Sequence, residues 1–226
     1  MISAIITGAG NSTRFGRNKM LEPIAGRALL LRTLDQFLLC TAIDEIVVTS
    51  RKKDLPLYQN LINQDLKPSI PIKIVEGGQE RIISLHNGIR ASHGDLILTH
   101  DGARPLTPVK LINDLIEAVS ETGAAMTAIN PTATVKKTAH NSLIISDTLL
   151  RTNTWIAQTP QIFRRDIILP ALEKAIAQEY FIPTDDSEIV TQMTPHKVKI
   201  VPGDPTNFKI THPIDLSLAT HLFSQP

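Results

Sequence analysis

Apolar and polar positions along the chain alternate between two spacings. Short continuous apolar runs at Ser3-Ala4-Ile5-Ile6-Thr7 and at residues 43–49, 70–76, 95–100 and 124–129 predict buried strands. Between them the apolar residues recur at helical intervals. Leu30, Leu34 and Leu38, with Phe37 beside them, predict a helix over residues 28–39. Further helices are expected over 54–63, capped by Asp54, over 80–92, and over 108–121 with Pro108 in the first turn. A helix over 164–178, a last strand over 197–201 and a closing helix over 212–222 complete the pattern. Pro23-Ile24-Ala25-Gly26-Arg27 reads as a turn. Strands alternating with helices point to an α/β fold, a mostly parallel sheet covered by helices on both faces.

The pattern changes between Asn130 and Trp155. Two short strand-like runs, 133–138 and 143–147, flank His140-Asn141-Ser142 with no helix between them, which predicts an inserted β-hairpin. A two-stranded ribbon is marginal alone and must lean on something, and a partner subunit is the economical choice. The chain then returns through Trp155-Ile156-Ala157-Gln158-Thr159-Pro160, with a later turn at Pro183-Thr184-Asp185-Asp186. The expected organisation is one domain over residues 1–226 with an arm inserted at about 131–154.

The formal net charge of the 226-residue chain is +1, so no bulk field argues for nucleic acid or a membrane surface, and any anion site must be local. The single cysteine, Cys40, excludes an intrachain disulfide and reads as packing at the end of an apolar helix. No apolar run approaches the ~20 residues of a membrane span. A cytoplasmic location is expected.

Candidate chemistry centres on the segment after the first strand, Gly8-Ala9-Gly10-Asn11-Ser12-Thr13-Arg14-Phe15-Gly16-Arg17-Asn18-Lys19. A glycine-rich loop lets backbone N–H groups approach a phosphate, and Arg14 and Lys19 add full charges nearby. No Gly-Lys-Ser or Gly-Lys-Thr occurs, which removes a Walker A loop; Thr13 replaces the third glycine of a dinucleotide fingerprint, and the second strand ends in Val48-Thr49-Ser50 rather than an acid. A mononucleotide triphosphate loop remains. Three more constellations fall in loops where such a sheet holds its ligand: Gly77-Gly78-Gln79-Glu80-Arg81-Ile82-Ile83-Ser84, His100-Asp101-Gly102-Ala103-Arg104-Pro105 and Asn207-Phe208-Lys209-Ile210-Thr211. No carboxylate cluster that would build a metal site by itself is evident.

Taken in order with Gln158-Thr159-Pro160-Gln161-Ile162-Phe163 and Thr184-Asp185-Asp186-Ser187, these blocks resemble the 2-C-methyl-D-erythritol 4-phosphate cytidylyltransferases, nearly end to end. The resemblance implies a Rossmann-like nucleotidyltransferase fold, with the hairpin as an arm crossing a homodimer. It implies transfer of a cytidylyl group from CTP to a sugar-alcohol phosphate, with Mg²⁺ held mainly by the triphosphate. Arg14 and Lys19 resemble the cations that stabilise the transition state, while Arg151 and Lys209 resemble the pair that positions the attacking phosphate. Asp101, Arg104 and Thr134 resemble further acceptor contacts. Thr7, Gly8, Ala9, Gly10, Gly78, Gln79, Ser84 and again Asp101 fall on the nucleotide. The loop departs from the usual pattern at Gly8, Ser12 and Phe15, and Asn18-Lys19-Met20 stands where Pro-Lys-Gln is usual, but the charged residues are kept. Two alternatives share most of these features: a ribitol 5-phosphate cytidylyltransferase, and a catalytically silent nucleotide-binding regulator.

Overall fold

The computed structural model describes residues 1–10, 15–181 and 185–225. The first apolar run forms β1 (Ile2–Thr7), central in a seven-stranded sheet. The expected turn is a small hairpin, β2 (Pro23–Ile24) against β3 (Arg27–Ala28), with Ala25 and Gly26 both at positive φ as a two-residue connection demands. Helix α1 (Leu29–Leu38) follows because Leu30, Leu34 and Phe37 share one face, and all three are buried. Cys40, just beyond it, is buried as packing.

Then come β4 (Glu45–Ser50), α2 (Leu55–Asp65), β5 (Ile72–Glu76), α3 (Arg81–Arg90), β6 (Leu96–Asp101), α4 (Val109–Thr122) and β7 (Ala124–Ile129), in the expected alternation. Two local readings are corrected. Asp54 precedes α2 but makes no capping bond, because Arg51 Nε holds its carboxylate at 2.5 Å. Pro108 is the N-cap of α4, outside its first turn.

The inserted ribbon is β8 (Lys136–Thr138) and β9 (Ile145–Thr148), which pair only with each other. Leu143 at its tip is 100% exposed, Ile144 77% and Leu150 71%, an unusual amount of apolar surface for one short segment.

The returning segment is a nine-residue strand, β10 (Ile156–Arg164), lying between β6 and β7 and antiparallel to both. Pro160 disguises it, since proline cannot donate to a ladder; the strand admits it where its register against β7 shifts between Ala157 and Gln161. Next come α5 (Arg165–Ala177), α6 (Asp186–Met193), β11 (Lys199–Pro202) and α7 (Pro213–Phe223). Part of the expected turn is instead the start of α6: the Asp185 side chain caps it by accepting from Glu188 N at 2.8 Å. Pro183 and Thr184 lie outside the described residues.

The sheet order is β11-β7-β10-β6-β1-β4-β5, and within it β10 alone opposes its neighbours. Alternate side chains feed two cores. Ile5, Val47, Ile97 and Phe163 pack with α3, α5 and α6, while Ala4, Ile6, Ile46, Val48 and Leu98 pack with α1, α2, α4 and α7. This is the Rossmann-like α/β arrangement, helices on both faces. The chain runs outward from β1 to β4 and β5, then returns to β6 on the other side of β1. The crevice above β1 and β6 is therefore the switch point where such sheets bind ligands.

Phe37 is fully buried, one of the largest side chains of the first core. Phe37→Ala should lower unfolding stability by about 3–5 kcal/mol. Urea titration should show this as a lower midpoint with an unchanged slope.

Candidate active site

Register places the site. Thr7 at the end of β1 pairs with Asp101 at the end of β6, and Ser50 at the end of β4 pairs with Glu76 at the end of β5, so the loops that follow leave at one level. They enclose a cavity of about 290 Å³. Thr7, Gly8, Ala9, Gly10, Lys19, Gly78, Gln79, Ser84, Asp101 and Lys209, all candidates from the sequence, line it. Gly77 permits the convergence: a Cβ there would stand 2.6 Å from Ala9 Cβ and 2.7 Å from Ser84 Oγ. The Ser84 hydroxyl works within the wall, accepting from Gly78 N–H at 3.0 Å.

Asp101 is the electrostatic centre. Lys209 Nζ lies 2.8 Å from its Oδ2, Arg104 Nε 3.6 Å from the same oxygen, and Arg81 Nη2 3.7 Å from Oδ1. Burial alone would push the carboxyl up, but Lys209, Arg81 and Arg104 outweigh it and hold it far below the usual carboxylate range. Burial lowers the pKa of Arg104 against the opposing pull of Asp101, and the guanidinium keeps its charge. Arg81 is only half-buried, and although desolvation opposes it, Asp186 and Asp101 together raise its pKa above the ordinary arginine value. In the described cavity wall, Lys19, Arg81 and Lys209 stand against the carboxylates of Asp101 and Glu80, an excess of one positive charge.

Arg81 and Asp186 belong to two of the sequence blocks named above, yet neither carries an expected role. Arg81 forms a two-pronged pair with the fully buried Asp186, the first residue of α6. A block of the form Thr-Asp-Asp-Ser offers one acid to cap a helix and a second to point inward, which is the signal that could have found it.

His100 is also buried, with burial driving its pKa down to about 3. The neutral ring is fully used. Nε2 faces the Arg104 carbonyl at 3.1 Å, which only accepts, so Nε2 carries the proton and Nδ1 accepts from the Thr159 hydroxyl at 3.0 Å. Thr159 Oγ1 in turn accepts from Asp101 N–H at 3.0 Å. Thr107 lies 3.3 Å from Nε2 and donates to Asn207 Oδ1 at 2.9 Å, while Asn207 Nδ2 donates to Thr159 O at 2.8 Å. A closed ring of hydrogen bonds therefore ties together the segments that carry Asp101, Arg104 and Lys209. Arg104 adds a bond from Nη1 to Asn207 O at 2.8 Å.

Among the described residues, three expected site residues do not line the cavity: Arg104, which reaches Asp101 from behind the wall, Arg151 and Thr134. Arg151 and Thr134 lie on the arm, where Arg151 Nη1 donates to Thr132 O at 3.0 Å. Arg14 lies outside the described residues.

The family model described as 2-C-methyl-D-erythritol 4-phosphate cytidylyltransferase matches residues 2–225. The chain belongs to this family. It is 37% identical over 222 residues to the 2-C-methyl-D-erythritol 4-phosphate cytidylyltransferase of Caldanaerobacter subterraneus subsp. tengcongensis, with 96% of each chain covered. It is 36% identical over 214 residues to the protein so named from Syntrophus aciditrophicus, covering 94% of this chain and 90% of that one. Its fold is similar to the crystal structure of 4-diphosphocytidyl-2C-methyl-D-erythritol synthase from Anaerococcus prevotii, with a TM-score of 0.89, 32% identity, and coverage of 100% of this chain and 99% of that chain. As a member of this family the chain is a cytidylyltransferase.

The buried imidazole gives this cytidylyltransferase an acid sensitivity whose sign is fixed. His100 has a folded pKa of about 3, below the ~6.5 of an exposed imidazole. An unfolded chain takes up a proton in that interval and the folded chain does not. Stability should be complete above about pH 6.5 and fall as the pH drops, by up to about 1.4 kcal/mol per unit. Asp101, also depressed, adds its loss only below about pH 4. Urea titrations between pH 6.5 and 4 should show the slope flattening by one proton in His100→Gln; an equal slope would locate the dependence elsewhere.

Proposed function

We propose that the chain transfers a cytidylyl group from CTP to 2-C-methyl-D-erythritol 4-phosphate and releases pyrophosphate. The observation that carries this reading is the cavity itself. In a chain of this family, a glycine-lined floor stands beside Lys19, and Arg81 and Lys209 pair with the ionised carboxylate of Asp101. An oxygen of the acceptor phosphate attacks the α-phosphorus in line. The new P–O bond forms as the bond to pyrophosphate breaks, and the electron pair leaves with pyrophosphate. Both reactants are anions, so cations and positioning supply most of the acceleration. The attacking phosphate is already largely ionised near neutral pH, so no general base is needed. In this reading Lys19 and Arg14 stabilise charge on the triphosphate, and Lys209 and Arg151 orient the acceptor phosphate. Asp101, Arg104 and Thr134 take further acceptor contacts; Thr7, Gly8, Ala9, Gly10, Gly78, Gln79 and Ser84, with Asp101, surround the nucleotide.

Mg²⁺ fits the residues present. This ion keeps several waters and rests on one or two carboxylates plus substrate phosphates. Among the described residues no three His, Cys, Asp or Glu side chains form a cage, while Asp101 is a buried carboxylate in the cavity wall. The ion would be carried by the triphosphate with Asp101 placed to share it, and it would neutralise charge on the phosphates.

The proposal includes a homodimer in which the arm over 131–154, part of a single nucleotidyltransferase unit over 1–226, delivers Arg151 and Thr134 to the partner's cavity. Its support is that neither residue lines the cavity of its own chain, and that the arm exposes Leu143, Ile144 and Leu150. A cytoplasmic location, without nucleic-acid or membrane partners, completes the reading. Among the described residues no helix is long and apolar enough to cross a membrane.

Pyrophosphate release from CTP with Mg²⁺ tests the activity, comparing 2-C-methyl-D-erythritol 4-phosphate with ribitol 5-phosphate at equal concentration. Turnover with the first is expected. Turnover with ribitol phosphate alone would reassign the acceptor, and none with either would leave a binding protein. The arm is tested by mixing subunits: Arg14→Ala and Arg151→Ala should each be inactive alone, and equal exchange should restore about a quarter of wild-type activity, one competent site per heterodimer. Mixtures that stay inactive would rule the shared site out.

A further inference from the structure

We infer that Tyr58 and Asn18 form a clasp at the base of the glycine-rich loop that positions Lys19 for the transfer. The inference rests on the reaction proposed above. Tyr58 belongs to α2, an element that contributes no residue to the cavity wall, and it is fully buried. Its hydroxyl nevertheless reaches the loop at both ends, 3.1 Å from Gly8 O and 3.3 Å from Asn18 Oδ1. Gly8 is the first residue past β1, and Asn18 immediately precedes Lys19.

Both ends are anchored in turn. Gly8 N–H donates to Thr49 O at 2.9 Å. A Cβ on Gly8 would stand 2.9 Å from that oxygen and 3.2 Å from Tyr58 Cε2, so a side chain here would push the tyrosine away. Asn18 Oδ1 also accepts from Met20 N at 3.1 Å, capping the single helical turn Lys19–Leu21 that is pinned by the buried Met20. Lys19 opens that turn, and its Nζ donates to Ile210 O at 2.8 Å, one residue past Lys209. The clasp therefore sets the lysine backbone, and the Asn207–Thr211 loop receives its ammonium.

Packing does not explain the hydroxyl. The ring belongs to the first apolar core, where phenylalanine would fill similar space without a polar atom to satisfy. A hydroxyl has one proton for two acceptors, so it holds both ends within reach of a single donor. Burial, opposed by Asn18, raises its pKa to about 12, which keeps it a donor at any working pH. Asn18 Nδ2 is buried without a partner among the described residues, so the oxygen of the amide is what the clasp uses.

Tyr58→Phe and Asn18→Ala, assayed by pyrophosphate release, provide the test. Each should lower kcat roughly tenfold while leaving the KM for the acceptor near wild type, since a displaced cation costs rate and the acceptor contacts are untouched. The double variant should fall no further than the worse single one, because both break one bridge. A purely structural role would lower the melting temperature and leave kcat per folded molecule unchanged. Should Tyr58→Phe not fold, Asn18→Ala carries the same expectation, because that residue is only half buried. Wild-type turnover matched by both variants, or independent and multiplicative losses, overturns the clasp alone; an inactive wild-type protein overturns the reaction beneath it.

Discussion

The segments that carry Asp101, Arg104 and Lys209 hang together on one buried neutral imidazole. His100 sits on β6 between Thr159 of β10 and the Arg104 carbonyl, and through Thr107 it reaches Asn207. Those partners belong to three segments far apart in sequence. Each supplies or neighbours a charged group of the site: Asp101 and Arg104 follow β6, and Lys209 follows Asn207. A charged ring would add a fourth cation to the group around Asp101, and burial forbids it. The neutral ring offers one donor and one acceptor, and the structure uses both. It fixes direction without adding charge.

That neutrality lets Asp101 act as a fixed negative reference. Its carboxylate is ringed by Lys209, Arg104 and Arg81, and Asp186 holds Arg81 from behind. In the proposed reaction, a dianionic acceptor entering this group would meet ammonium and guanidinium groups whose orientation is already set, so little reorganisation would accompany binding. Asp101 keeps those cations from repelling one another before the ligand arrives. The glycine-rich end of the cavity, where the proposed reaction places its catalytic cations, differs in construction. There the positive charge follows a glycine-rich loop, and its placement depends on how the two ends of that loop are tied down.

The alternation of β1, β4, β5, β6 and β7 with their helices was legible in the sequence because buried parallel strands are continuous apolar runs and the helices carry clear stripes. The site was legible as four motifs because ligands in such folds gather at strand C-termini, and register delivers Thr7 and Asp101 to the same level. What escaped did so for physical reasons. Pro160 argues against a central strand, and only a tertiary register shift admits it as β10. Asp54 has the composition of a cap, but a nearby arginine outcompetes backbone N–H groups for its carboxylate. Arg81, His100 and Tyr58 matter through partners 50 to 105 residues away, Gly8, Thr159 and Asp186 among them; a local block can mark Asp186 as pointing inward, but not which residue it meets.

The ribbon follows the opposite logic from the imidazole ring. Lys209 and Arg104 are fixed by buried bonds within the chain, whereas Arg151 sits on a segment that pairs only with itself and displays leucine and isoleucine to solvent. A short two-stranded ribbon gains little stability from its own hydrogen bonds, so its apolar side chains are the main free energy it has to offer. That energy is realised only when something covers them. If the cover is a second copy, burial of the ribbon and delivery of Arg151 are one event, and the acceptor site is complete only in the assembled protein. The chain would then hold its nucleotide end in permanent register and make its acceptor end conditional on association. Within the proposed dimer, the exposed leucines and isoleucines are thus as much a part of the active site as the arginine they carry.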